Sequence, residues 1–173
     1  AQALADLMTI RQQLGSFSGL KMCFIGDGNN MANSLIVGGL KVGMNVAVAT
    51  PDGYKPDGAV LEFTKGYGDK FALETDPFMA ASGADILITD TWTSMGEEAE
   101  KEERKKIFKD YQINRQLLAA ANAGAMVQHC LPAYRGQEIT EEVFEEHADE
   151  IFNEAENRLH AQKAGMGKVM KND

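Results

Sequence analysis

Cysteine is nearly absent: Cys23 and Cys130 are the two in 173 residues. That excludes a disulfide-stapled scaffold, and two thiols with three scattered histidines make no metal-ligand spacing, so neither a metal nor another cofactor is expected. Long apolar runs are missing too. None approaches the roughly 20 residues that span a bilayer, and the opening Ala1-Gln2-Ala3-Leu4-Ala5-Asp6 lacks the basic-then-apolar pattern of a signal peptide. A cytoplasmic chain is expected. It has no initiator Met, which reads as a piece of something longer. Basic residues are outnumbered, 17 Lys and Arg against 26 Asp and Glu, for a net charge of -9. No basic face is therefore available for nucleic acid or an anionic membrane, and the partner should be a small molecule or a protein. Internal repeats, low-complexity stretches and linkers are also absent, and the length suits a single domain over residues 1–173.

What is present alternates between two periods. Leu4, Leu7, Met8, Ile10 and Leu14 recur near the helical period over residues 3–14, with Gly15 as a stop. Residues 20–25 read as a short apolar strand that ends in Gly26-Asp27-Gly28-Asn29-Asn30, and a helix follows over about residues 30–41. A second strand spans 44–49, a helix 60–67, a short edge strand 71–74 and a helical turn 76–82 with Pro77 at its first position. Residues 85–89 read as a strand buried on both faces, and 97–109 as a helix with a solvated face, where Glu97, Glu100 and Glu102 stand four before Lys101, Arg104 and Lys106. A helix over 114–123, a fifth strand over 125–128, a helix capped by Thr140 and a last helix over about 156–164 complete the chain; Gly165 to Lys168 should fray. Five short strands alternating with helices imply an α/β fold, a doubly wound, Rossmann-like five-stranded parallel sheet with helices on both faces. With order 3-2-1-4-5 the switch point falls between the first and fourth strands, so that Asn29, Asn30 and Asp90 share one crevice with Cys130 on its flank.

The crevice residues have a definite chemistry. Asp90 offers an anion to an ammonium, Ser94 a hydroxyl, and Gly96 a turn without steric hindrance. This suits a zwitterionic amino acid better than a phosphate. Asn29 and Asn30 at a helix start can hold a carboxylate. Gly26-Asp27-Gly28 superficially matches a dinucleotide fingerprint with Asp52 as the ribose acid, but Met31 stands where the third glycine belongs. His129-Cys130-Leu131-Pro132 places an imidazole and a thiol at a strand's carboxyl end, as nucleophile with base, proton handler or packing. Cys23, in mid-strand, reads as packing. Glu154 and Glu156 are explained as first-turn acids of the last helix, while Arg158 is equally a surface ion pair or a contact for a phosphate or carbonyl oxygen. His147 and His160 read as helix-surface residues, and Trp92 as pocket wall or core.

Together these motifs resemble the second, ornithine-binding domain of ornithine carbamoyltransferases: Gly-Asp-Gly-Asn-Asn at 26–30, Asp-Thr-Trp-Thr-Ser-Met-Gly at 90–96, His-Cys-Leu-Pro at 129–132, and Glu-Asn-Arg at 156–158 with Gln162-Lys163-Ala164. The resemblance covers residues 3–164, and Ser-Met-Gly favours ornithine over the aspartate-using relatives. It implies that Asn30, Asp90, Ser94 and Met95 hold the amino and carboxylate groups of L-ornithine. It further implies that Cys130 lies near the side-chain amine and helps to orient or deprotonate it, that Cys130, Arg158 and His129 form the catalytic set, and that Cys130, Leu131 through its backbone, and Arg158 contact carbamoyl phosphate. Citrulline and phosphate would be the products, in arginine biosynthesis.

The family's first domain, with its Ser-x-Arg-Thr-Arg phosphate loop, is absent from this sequence, and its His-Pro-x-Gln motif survives at most as Gln2, which would also face carbamoyl phosphate. The expectation is weak ornithine binding and little or no turnover. The family works as homotrimers built largely through that first domain, so association of this piece stays open. Two other classes are carried forward: a nicotinamide-dependent oxidoreductase domain and a non-catalytic interaction module.

Overall fold

The computed structural model describes residues 1–93 and 100–170. Five parallel strands, β1 (Lys21–Ile25), β2 (Asn45–Ala49), β3 (Phe71–Glu74), β4 (Ile86–Thr89) and β5 (Met126–His129), form one sheet in the order β3-β2-β1-β4-β5, as the alternation of elements predicts. Strands this apolar must bury both faces, and the period of two divides them cleanly. Met22, Phe24, Val46, Val48, Ile86 and Ile88 enter one core, whereas Cys23, Ile25, Ala47, Ala49 and Leu87 enter the other.

The helices α1 (Gln2–Leu14), α2 (Asn30–Lys41) and α3 (Gly58–Thr64) cover the first face. On the second lie α4 (Pro77–Ala81), α5 (Lys101–Phe108), α6 (Arg115–Ala120) and α7 (Glu141–Glu146). Most starts are fixed by short polar caps: Asn29, Asp57, Asp76, Asn114 and Thr140 each accept a hydrogen bond from an amide of the first turn. Thus α3 starts two residues before the expected position and ends at Thr64, followed by a 3-10 turn over Lys65–Lys70. Helix α6 stops at Ala120, because the Asn122 side chain turns back to donate to the Gly83 carbonyl and Asp85 Oδ1.

The largest departure is the last helix. α8 runs from Ala148 to Met170, far beyond the expected span, and Gly165 and Gly167 lie inside it. Asp149 and Glu150 occupy its first turn, and Glu154 sits a full turn further on, sharing a buried stripe with Ile151 and Asn157. That stripe lies against α1, where Asn157 Nδ2 donates to Thr9 Oγ1 at 2.8 Å and to Gln12 Oε1 at 2.6 Å. α1 is correspondingly rotated from its apolar pattern. Asp6 and Thr9 are buried, while Leu4 and Leu14 are exposed. First and last helices are therefore joined by polar side chains, which a hydrophobic pattern cannot register. No helix among the described residues is long and apolar enough to cross a membrane.

Candidate functional site

The carboxyl ends of β1, β4 and β5 open on one rim. Thr89 Oγ1 donates to the Ile25 carbonyl at 2.8 Å, and the Cys130 amide donates to the Thr89 carbonyl at 3.3 Å, stitching the three ends together. The loops carrying Asn30, Asp90 and Cys130 are thus neighbours, as the strand order requires.

The glycine turn after β1 is shaped by the protein itself. A Cβ on Gly28 would stand 2.3–2.4 Å from the Lys55 carbonyl carbon, Pro56 N and Tyr54 O, and the Gly28 amide donates to that Tyr54 carbonyl at 2.9 Å. In a dinucleotide fold the corresponding bare backbone approaches a pyrophosphate. Here the chain at 54–56 fills the space. Asn29 spends its side-chain oxygen on the Met31 and Ala32 amides, leaving Asn30 exposed at the start of α2.

Asp27 forms an ion pair with Arg104, a partner that the solvated-face reading of α5 missed. Arg104 is buried, its Nε donates to the Trp92 carbonyl at 2.5 Å, and its guanidinium lies over the rings of Tyr54 at 5.0 Å and Phe108 at 5.3 Å. Trp92 is core, packed on Phe108. The expected four-residue pairing survives between Glu100 and Arg104 at 3.8 Å, and Glu102 instead meets Lys105 at 2.8 Å.

Asp90 is half-buried at the centre of the rim, and its Oδ1 accepts the Thr91 amide at 2.8 Å. Burial raises its pKa above the ordinary carboxylate range, the Thr91 bond and His129 oppose the rise, and Glu138 and Asp27 add to it. Ser94, Met95, Gly96 and Glu97 lie outside the described residues.

His129 ends β5 with no exposure. Its Nδ1 accepts the Leu131 amide at 2.9 Å, so the ring proton sits on Nε2, which donates to Glu138 Oε1 at 2.9 Å. Both ring nitrogens are thus engaged within the protein. Leu131, at φ 46°, occupies the left-handed region that a branched residue adopts only when its surroundings insist, and the bond to His129 is that insistence. The Leu131–Pro132 peptide is cis.

Cys130 is buried, and its thiol is pushed well above the usual range by burial first and then by the charges of Asp6, Asp90 and Glu154, with Arg158 opposing. This is a protonated thiol, not a poised nucleophile. Behind it lies a feature absent from the sequence reading. Asp6 and Glu154 are buried side by side and accept hydrogen bonds from Gln2 Nε2. Burial raises Asp6 to about 6, and burial with repulsion from Asp6 raises Glu154 to about 9. The signal was present, because Glu154 and Asn157 follow Ile151 at helical spacing. Arg158 is exposed on the same helix, and its charge reaches both Glu154 and Cys130. His160 is exposed on α8, whereas His147, expected at the surface, is half-buried with Nδ1 2.9 Å from Glu150 Oε2. Among the described residues no cluster of metal-ligating side chains occurs.

The family model of the aspartate/ornithine carbamoyltransferase Asp/Orn-binding domain matches residues 18–168. The ornithine carbamoyltransferase of Gloeobacter violaceus is 54% identical over 173 residues, which is 98% of this chain and 55% of that protein. The solved ornithine carbamoyltransferase from Pyrococcus furiosus superposes with a TM-score of 0.91 at 46% identity, covering 99% of this chain and 56% of the other. The anabolic ornithine carbamoyltransferase from Campylobacter jejuni gives 0.92 at 41%, covering 99% and 58%. The chain spans about half the length of the curated relatives it matches. The oxidoreductase alternative finds no support in these similarities, in keeping with the filled glycine turn. The chain belongs to the aspartate/ornithine carbamoyltransferase family and corresponds to its Asp/Orn-binding domain.

Proposed function

We propose that this chain is the ornithine-binding half of an ornithine carbamoyltransferase, which joins L-ornithine to carbamoyl phosphate to give citrulline and phosphate. The observation that carries this reading is the sign of the rim. Asp90 and the Asp6–Glu154 pair, which keeps one proton and one negative charge near neutral pH, bear on Cys130, and the Arg158 guanidinium opposes them. Such a crevice attracts an ammonium and repels an unescorted phosphate.

In this reading Asp90 faces the α-ammonium of ornithine, and Asn30, Ser94 and Met95 hold its carboxylate. Cys130, kept as a neutral thiol, lies along the side-chain amine and orients it without forming a covalent bond. The amine attacks the carbamoyl carbon, the new N–C bond forms as the C–O bond to phosphate breaks, and the amine proton is released. Arg158 steadies the developing negative charge on the carbamoyl oxygen, while the Leu131 carbonyl and Gln2 meet the carbamoyl nitrogen. Rate enhancement comes mainly from bringing two bound substrates together and stabilising that oxygen. His129 positions Leu131 through the bond from its amide to Nδ1. One guanidinium is no cradle for a phosphate, so this chain alone binds ornithine weakly and turns over little or nothing.

Calorimetry with L-ornithine, with and without carbamoyl phosphate, tests the assignment. Ornithine should give heat that Asp90→Asn abolishes, and NADH should leave the protein's fluorescence unchanged. Ornithine binding that survives Asp90→Asn would remove the ammonium contact, and no amino-acid binding at all would favour a bare interaction module.

A further inference from the structure

The contact between α1 and α8 holds three polar side chains with more hydrogen-bond acceptors than donors. Gln2 Nε2 donates to Asp6 Oδ1 at 3.1 Å and to Glu154 Oε1. The remaining oxygens, Asp6 Oδ2, Glu154 Oε2 and Gln2 Oε1, are buried with no donor among the described residues. Both carboxyl groups are 1% exposed. Two adjacent carboxylates cannot both stay ionised without water, and a proton between them supplies the missing donor.

We infer that Asp6 and Glu154 share one proton and act as positioning residues for Gln2, gripping its amide nitrogen so that its carbonyl oxygen is presented as a fixed acceptor. An amide can turn either end toward its neighbours, and acceptor-only carboxyl oxygens select the NH2 end. The carbonyl left over needs an N–H donor from a ligand. Naming that donor as the carbamoyl N–H rests on the function proposed above; the grip itself does not. The charged and titratable groups facing the pair are Asp90 after β4, Cys130 after β5, Arg158 on α8 and the Ala1 ammonium. Burial holds Asp6 up to about 6 and Glu154 up to about 9, so near neutral pH one proton remains on the pair.

NMR on the 173-residue chain tests this without any substrate. The Glu154 carboxyl carbon should move in a step near pH 9, and the Gln2 side-chain NH2 signals should shift with it and exchange more slowly than those of exposed Gln13. Glu154→Gln should abolish the upper step and, independently, Asp6→Asn should move it to lower pH without removing it, because burial of Glu154 remains when the charge of Asp6 is gone, while the backbone spectrum persists. Loss of both variants to misfolding would still leave the wild-type titration to decide. Carboxyl carbons that both titrate in the ordinary range, or a Gln2 amide that exchanges like Gln13 and ignores the titration, would overturn the inference. Since no substrate enters, a failure here and a failure of the carbamoyl-transfer reading remain separate results.

Discussion

Glu138 Oε1 accepts from His129 Nε2 at 2.9 Å and from the Tyr134 amide at 2.6 Å, so one buried oxygen fixes the end of β5 and the loop that returns beneath it. Through this contact His129 keeps Nδ1 for the Leu131 amide. The backbone beside Cys130 is therefore set by an acid eight residues further on.

Glu138→Ala strands the buried His129 Nε2 donor and the partly buried Tyr134 amide, and an unsatisfied buried group costs about 1–3 kcal/mol. A loss of roughly 2–5 kcal/mol in unfolding free energy is expected, with Glu138→Gln intermediate because its carbonyl still accepts. Urea denaturation measures it. A Glu138→Ala midpoint equal to the wild type would show that the contact does not hold the loop.

Gly28→Ala should be more harmful than Gly39→Ala. The Gly28 Cβ meets backbone atoms of residues 54–56 at 2.3–2.4 Å, which must move bodily, whereas the Gly39 Cβ meets the ends of Met22 and Val46 at 2.7 and 2.8 Å. Overpacking costs about 1–3 kcal/mol, and at Gly39, inside α2, better helix propensity offsets up to about 1 kcal/mol. Thermal melts of the two variants side by side decide the order, and a Gly39→Ala melt at the lower temperature reverses it.

Much of this was legible in the sequence, for identifiable reasons. Apolar runs of four to six residues set between helices leave parallel pairing as the simplest solution, and Asn29, Asn30, Asp90 and Cys130 then share a rim by strand order alone. Arg104 and Glu154 were misplaced, and Asp6 went unread, for the opposite reason. Their burial depends on partners distant along the chain, Asp27 for Arg104 and Gln2 for both acids. A charge among charges on a helix reads as solvated until its tertiary partner is known. The contact between His129 and Glu138 stayed out of view for a related reason, since neither residue carries a local signature of its partner.

Stability should fall as pH rises. In the folded chain Asp6 is raised from 3.8 to about 6 and Glu154 from 4.5 to about 9. Between those ordinary values and the raised ones the native state holds more protons than the unfolded state, and raising the pH withdraws that stabilisation. It is complete below the ordinary values and lost as pH passes about 6 and then about 9. Urea midpoints at intervals across this range should drop in the wild type and drop less in Glu154→Gln. Parallel curves for the two proteins would contradict the sign or the assignment.

Ornithine affinity should move the other way. Only the carboxylate of Asp90 attracts an ammonium, and burial makes that group take up a proton at higher pH than an ordinary aspartate. Affinity should therefore weaken on acidification earlier than an unperturbed carboxylate, with a pKa of about 3.9, would allow. Calorimetric titrations stepped down from pH 8 follow it, and affinity that holds constant well into the acid range would place the recognition elsewhere.

Cys130 should be unreactive in the folded protein in spite of its place at the rim. Thiol reagents attack the thiolate, and here burial and three acids disfavour that form. Cys23 is held up to about 12 by burial alone, with Lys21 opposing. Iodoacetamide at pH 8 should label neither thiol until denaturant is added, when both react. Arg158→Ala removes a positive charge that favours the Cys130 thiolate and should not accelerate labelling. Cys130→Ser should fold, because a hydroxyl replaces a thiol that is already protonated. Rapid native alkylation of Cys130 alone, read by mass spectrometry, would instead mean a poised thiolate, and its part in orienting the amine would have to be rewritten as chemistry at sulfur.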